Sequence, residues 1–200
     1  MGITERRQRQ KEEVRTGILR AAWQLVTAEG WASLSIRRIA DAIEYSVPVI
    51  YDHFDNKEAI LHEFRKQGFV LLADNLQKAK DTATDSAAQL HAIGRAYWDF
   101  AFEDKAYYQV MFGVGMITCE VVKQTPEIRQ YAAVILSTIQ ALIAQNRNSL
   151  IDPMLKYHSF WSTLHGLVSV HMMGMSTVPP AMTERVLDDV ISNFINALKE

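Results

Sequence analysis

Eight consecutive residues, Val47-Pro48-Val49-Ile50-Tyr51-Asp52-His53-Phe54, carry the most telling chemistry in the sequence. Ile50 and Phe54 lie four apart, so on a helix they share one face, the apolar inner one. The outer face then holds Val47, Pro48, Tyr51 and Asp52, with Val49 and His53 at its edges. A buried helix has no use for Asp52 and His53. A merely solvated helix has no use for Val47, Pro48 and Tyr51 on its outside. Small apolar groups beside hydrogen-bonding tips suit a DNA groove, with its thymine methyls and flanking phosphates.

A second constellation lies in Tyr157-His158-Ser159-Phe160-Trp161-Ser162-Thr163-Leu164-His165-Gly166-Leu167. Trp161 and His165 share a helix face at i, i+4. They either line a small-molecule pocket or make a core contact with a satisfied histidine. His158 and His165 are seven apart, but no carboxylate or histidine completes a ligand set, so no metal site is expected. Catalysis in a helical bundle would need a nucleophile–base set or facing Glu-x-x-His pairs. The sequence offers neither, so neither an enzyme nor a cofactor is expected. The single cysteine, Cys119, rules out a disulfide within the chain and a Cys₃ or Cys₄ zinc site.

The elements that would position these residues are helices. Val14, Ile18, Leu19, Ala22, Leu25 and Val26 recur at helical spacing until Gly30, which reads as a C-terminal cap. Ser35 can cap a second helix, about 36–43. After the turn Glu44-Tyr45-Ser46, Ser46 can cap a third, about 47–54, with Pro48 in its first turn. Asn56 can cap a fourth, running to about 80. Further helices are expected at about 87–103, 107–116, 126–146, 153–174 and 182–198, with no convincing strand. The fold class is therefore all-α, with about nine helices. An N-terminal helix-turn-helix unit (1–60) would precede a larger helical domain (61–200), with the boundary inside the fourth helix.

Net charge is −2, which by itself argues against a polyanion partner. The distribution matters more: residues 1–20 hold six arginines and lysines against three glutamates, and the remainder is net acidic. That arm is either a solvated helix start or a phosphate contact. No apolar run resembles a secretory signal or a membrane span, so a cytoplasmic protein without membrane contact is expected.

Ile18-Leu19-Arg20-Ala21-Ala22, Leu34-Ser35-Ile36-Arg37-Arg38-Ile39-Ala40, Ile50-Tyr51-Asp52-His53-Phe54 and Lys57-Glu58-Ala59-Ile60-Leu61 together resemble the TetR family of regulators. The resemblance implies phosphate contacts for Ser35, Arg37, Tyr51, His53 and Lys57, and base contacts for Val47, Pro48 and Val49. Arg38 and Ser46 are further DNA-binding candidates. Three positions depart from the family. Val49 replaces a common threonine. Asp52 adds a negative charge. Glu44 stands where the family has glycine, because the turn wants positive φ. Either the turn is reshaped or DNA affinity is modest.

Trp161, His165 and Gly166 resemble one C-terminal subtype of the family. Trp98, Phe102, Met111, Phe112, Met116, Trp161 and His165 are the candidates for lining a site for an apolar or aromatic effector, although the same residues could be core. Val168, Met172, Met175, Val186, Leu187, Val190, Ile191, Phe194 and Leu198 give the last two helices apolar faces. These suit a four-helix interface in a homodimer, or else close the monomer's own core. The resemblance implies a ligand-responsive repressor on a palindromic operator, with activation left open. The alternative is a small-molecule binding protein that has lost DNA binding, for which Glu44 and Asp52 speak.

Overall fold

The structure, a computed structural model, describes residues 2–113, 125–145, 150–174 and 178–199. Among them are nine α-helices and no strand: α1 (Ile3–Glu29), α2 (Ile36–Ala42), α3 (Val47–Tyr51), α4 (Lys57–Asp81), α5 (Ser86–Glu103), α6 (Lys105–Phe112), α7 (Ile128–Ala144), α8 (Pro153–Met172) and α9 (Pro180–Lys199). A 3-10 turn, Trp31–Ser33, links α1 to α2.

Local chemistry sets most of the boundaries. α1 stops where Gly30 turns to φ 80 and returns its N–H to the Val26 carbonyl at 2.7 Å. The carboxamide oxygen of Asn56 accepts from the Ala59 N–H at 2.9 Å to start α4. Asp85 and Asp152 do the same for α5 and α8, satisfying N–H groups that the helix cannot. Pro153 sits in the first turn of α8, where its missing N–H is harmless. α3 is shorter than its sequence suggests: it ends at Tyr51, and a looser turn through His53 and Phe54 leads to α4.

Two apolar cores form. The first gathers Ile18, Ala22, Val26, Leu34, Ile39, Ile50, Phe54 and Phe64 from α1–α4. The second joins α4–α9 through residues such as Phe69, Tyr97, Phe100, Ile139, Phe160 and Ile191. α4 serves both, with Phe64 in the first core and Phe69 in the second. Two glycines allow close crossings. A Cβ on Gly68 would lie 2.5 Å from Met111 Sδ, and one on Gly94 would lie 2.7 Å from Ile191 Cδ1.

Val168, Leu187, Ile191 and Leu198 are buried in the chain's own core, and Phe194 packs on Phe160 at 4.8 Å. The outward apolar residues of α8 are different ones: Met154, Leu155, Val170 and, just beyond its end, Met173. Met175 lies outside the described residues.

Candidate nucleic-acid interface and effector cavity

The α2–turn–α3 unit is anchored from below. Ile39 and Ile50 are fully buried, and Phe54 is nearly so. The turn closes with the Tyr45 N–H on the Ala40 carbonyl at 3.0 Å. Glu44 has φ 58 and is the one non-glycine residue at positive φ among those described. The turn has therefore not been reshaped: the side chain is accommodated in a backbone conformation that favours glycine.

With that anchor, the outer face of α3 stands clear. Pro48, Tyr51 and Asp52 are exposed, while Val47, Val49 and His53 are half-buried. Tyr51 keeps half of its surface (51%) in solvent. Tyr45, which sequence reasoning left as a turn residue, is nearly as exposed at 48% and belongs to the same surface. An aromatic residue in an otherwise polar turn was the available signal.

The flanking candidates differ in their freedom. Arg37 is exposed. Arg38 is already engaged, gripping Glu29 through two bonds of 2.8 and 2.5 Å. This pairing holds the Glu29 carboxyl below its usual range. The Ser35 hydroxyl accepts from the Arg38 N–H at 3.3 Å as an N-cap, whereas Ser46 caps α3 without a side-chain bond. Lys57 begins α4 and is half-buried. His53 turns Nδ1 inward, where it is buried without a hydrogen-bond partner. Arg15 lies over the Phe54 ring at 4.3 Å and pairs with Glu63 at 3.0 Å, tying α1 to α4 beside this face.

The effector candidates split into groups. Phe112, Trp161 and His165 come together: the Trp161 and His165 rings stack at 5.2 Å, and Phe112 meets His165 at 5.1 Å. His165 Nδ1 lies 2.5 Å from the Tyr108 hydroxyl, which is 3.2 Å from that of Tyr97. Burial lowers the His165 pKa, which favours the neutral imidazole at neutral pH, and burial raises both phenols. The Trp161 indole N–H is buried without a well-formed bond, although close enough to Tyr97 to offset slightly the burial that raises that phenol. Trp98 and Phe102 pack elsewhere, against each other at 4.6 Å, with Trp98 also against His171. Met111 is wholly buried against Gly68. Met116 lies outside the described residues. A cavity of about 590 Å³ opens beside His165 and Phe112, and its far wall is Gly30, Trp31 and Ala32. Sequence reasoning did not place these last three there, because their partners are more than seventy residues away.

Among the described residues no cluster of three or more histidine, cysteine or acidic side chains could hold a metal ion. Among the described residues no helix is long and apolar enough to cross a membrane.

Comparison with known proteins matches both halves. Residues 18–64 fit the model of bacterial regulatory proteins of the tetR family. Residues 90–194 fit that of the tetracyclin repressor-like C-terminal domain. The transcriptional activator FasR of Mycolicibacterium smegmatis is 28% identical over 108 residues, 54% of this chain and 49% of that protein. The chain thus spans about half the length of the curated relatives it matches. Among solved structures, a Rhodococcus sp. RHA1 protein of unknown function superposes with a TM-score of 0.77 at 21% identity, covering 93% of this chain and 95% of that one. Bacillus subtilis FadR in complex with stearoyl-CoA gives 0.69 at 16% identity, over 92% and 97%. At these identities the structures speak for the fold alone. The C-terminal match covers more than half of the chain and the N-terminal match takes in the whole helix-turn-helix, so this protein belongs to the TetR family of transcriptional regulators.

Proposed function

We propose that the chain is a ligand-responsive repressor that binds a palindromic operator as a homodimer. The observation that carries this reading is the exposed outer face of α3, held up by buried Ile50 and Phe54 on a turn whose geometry survives the loss of glycine at position 44. That survival favours retained DNA binding over a protein reduced to ligand capture. Val47, Pro48 and Val49 would approach bases. Ser46, Tyr51, His53, Arg37 and Lys57 would contact the backbone, and Ser35 would serve mainly as a cap. Arg38 would join them only on leaving Glu29.

The proposed division into a reading head (1–60) and a body (61–200) passes through α4, which packs in both cores. Two heads must sit roughly 34–36 Å apart to enter successive major grooves. An apolar or aromatic effector in the body would bias α4 between a spacing that fits and one that does not. It could shift that balance only by its affinity difference for the two. FadR was solved with stearoyl-CoA, a ligand with a long apolar chain, and FasR is named an activator, so a similar protein can regulate with the opposite sign. Trp161, His165 and Gly166 are read as the signature of this C-terminal subtype. Action on chromosomal DNA would place the protein in the cytoplasm.

The test is a gel shift on the DNA upstream of its own gene. Tyr51→Ala and Lys57→Ala should each weaken binding by about tenfold, as expected for losing one or two kcal/mol of contact. Lys57→Ala should also reduce the slope against salt by about one ion. Wild-type affinity in both variants would remove these assignments.

A further inference from the structure

The cavity beside His165 is walled by both halves of the molecule. Glu29, Trp31 and Ala32 come from the end of α1 and the 3-10 turn, Tyr108 and Phe112 from α6, and His165 and Met172 from α8. Its volume of about 590 Å³ suits a small organic molecule. Half of the lining residues are aromatic rings or methionines, with neutral hydrogen-bonding groups from Gln109 and Ser169. Glu29 is the one charged side chain among the described lining residues at neutral pH, because burial favours the neutral imidazole of His165.

We propose that this junction cavity binds an apolar amine, a molecule with an aliphatic or aromatic body and a protonated nitrogen that meets Glu29. An anionic head would be repelled by this carboxylate unless it first drew Arg38 away from it. A cation gains from the carboxylate and from nearby ring faces. A polyanionic acyl-CoA, the ligand seen in FadR, is the wrong charge for this wall.

Glu29 also grips Arg38 of α2, so a bound amine competes with Arg38 for the same carboxylate. The pair is exposed, so exchanging one cation for another is inexpensive. The guanidinium released lies next in sequence to Arg37. A ligand here therefore acts on the reading head directly, without needing to tilt α4. That consequence rests on the proposed DNA-binding function; the binding itself does not.

Four probes that share a ten-carbon chain and differ in the head separate the outcomes. Decylamine, decanol, decanoate and decanoyl-CoA are titrated by calorimetry into the full chain without DNA, below their micelle concentrations. Decylamine should bind about tenfold more tightly than decanoate, with decanol between. Glu29→Gln should shrink that ratio to about twofold. Arg38→Ala, which removes the competitor, should tighten decylamine by about two- to threefold. Ala32→Trp, on an exposed wall position, should block binding while helical content stays that of wild type; Ser169→Phe serves if that variant does not fold. No decylamine binding, equal affinity for decanoate, tighter decanoyl-CoA, or binding unchanged by the blocking variants would each overturn the proposal. Because no DNA is present, failure here leaves the Tyr51→Ala and Lys57→Ala results to decide DNA reading separately.

Discussion

Glu44 separates two physical effects at one position. Its φ of 58 costs a residue with a side chain roughly 1 kcal/mol relative to glycine. Its charge also stands near the surface that would face phosphates. Glu44→Gly should relieve the strain, less a few tenths for the freer unfolded chain, and raise the melting temperature by up to about 3 °C. Glu44→Gln keeps the strain but loses the charge, so it should tighten DNA binding without the stability gain. A Glu44→Gly protein that melts below wild type would show that the side chain makes a contact outweighing the strain. His165 gives a pH prediction. Burial depresses its folded pKa below the ordinary 6.5, so below about pH 6.5 the unfolded chain takes up a proton that the folded one refuses. The stability this residue contributes is whole above that pH and is lost as pH falls through the depressed folded value. Chemical unfolding at pH 7.5 and pH 5 should show a smaller difference in His165→Gln than in wild type. The exposed face of α3 could be read from spacing alone, since Ile50 and Phe54 define the inside. The engagement of Arg38 could not, because its partner Glu29 lies across the 3-10 turn and no local rule pairs them.

Among elements, α6 shows why the larger domain was harder to read than the head. The long helices follow from apolar periodicity and from caps at Asn56, Asp85 and Asp152, all local signals. α6 spans only Lys105–Phe112, and its role lies in contacts distant in sequence. The Trp31 indole donates to the Ala106 carbonyl at 2.8 Å, and the Arg65 Nε–H donates to that of Val110 at 3.0 Å. Tyr107 stacks on Trp23 at 4.2 Å, and Val110 is buried in the first core. The same helix sends Tyr108 and Met111 into the second core. It therefore belongs to both halves, and any ligand that touches Tyr108 or Phe112 presses on a helix bonded to the head. Trp31→Phe keeps most of the ring but abandons a part-buried carbonyl, so stability should fall by about 1–2 kcal/mol in denaturant unfolding. The variant should also respond less to a bound effector in DNA affinity. A variant of wild-type stability would mean that water replaces the indole and that the bond does not couple the two cores.

At the scale of the whole molecule, the proposed palindromic recognition would require a partner, and α8 offers a surface for one. Leu155, Ser159, Ser162, Gly166, Val170 and Met173 follow one another at steps of three or four along its exposed side, which is one helix face. Leu155 and Met173 are 62% and 63% exposed at its two ends, while the middle is small. Small residues between apolar ends let a second copy of the helix approach closely across a twofold axis, as in a four-helix interface. Val168, Leu187, Ile191 and Leu198 are taken up by the chain's own core, whereas Val186 and Val190 of α9 stay half-buried beside this stripe. Gly166 is the place to test it, because it is exposed and a Cβ there meets nothing within 4 Å in the single chain. Gly166→Arg should therefore fold with unchanged helical content. Light scattering should then give the 22.7 kDa of one chain where wild type gives twice that. Affinity for a two-half-site operator should fall by about a hundredfold or more, since each head now binds alone. Affinity for an isolated half-site should stay the same, because α3 lies on a different core. A variant that remains dimeric would move the interface off α8, and the proposed two-headed reading would need another axis.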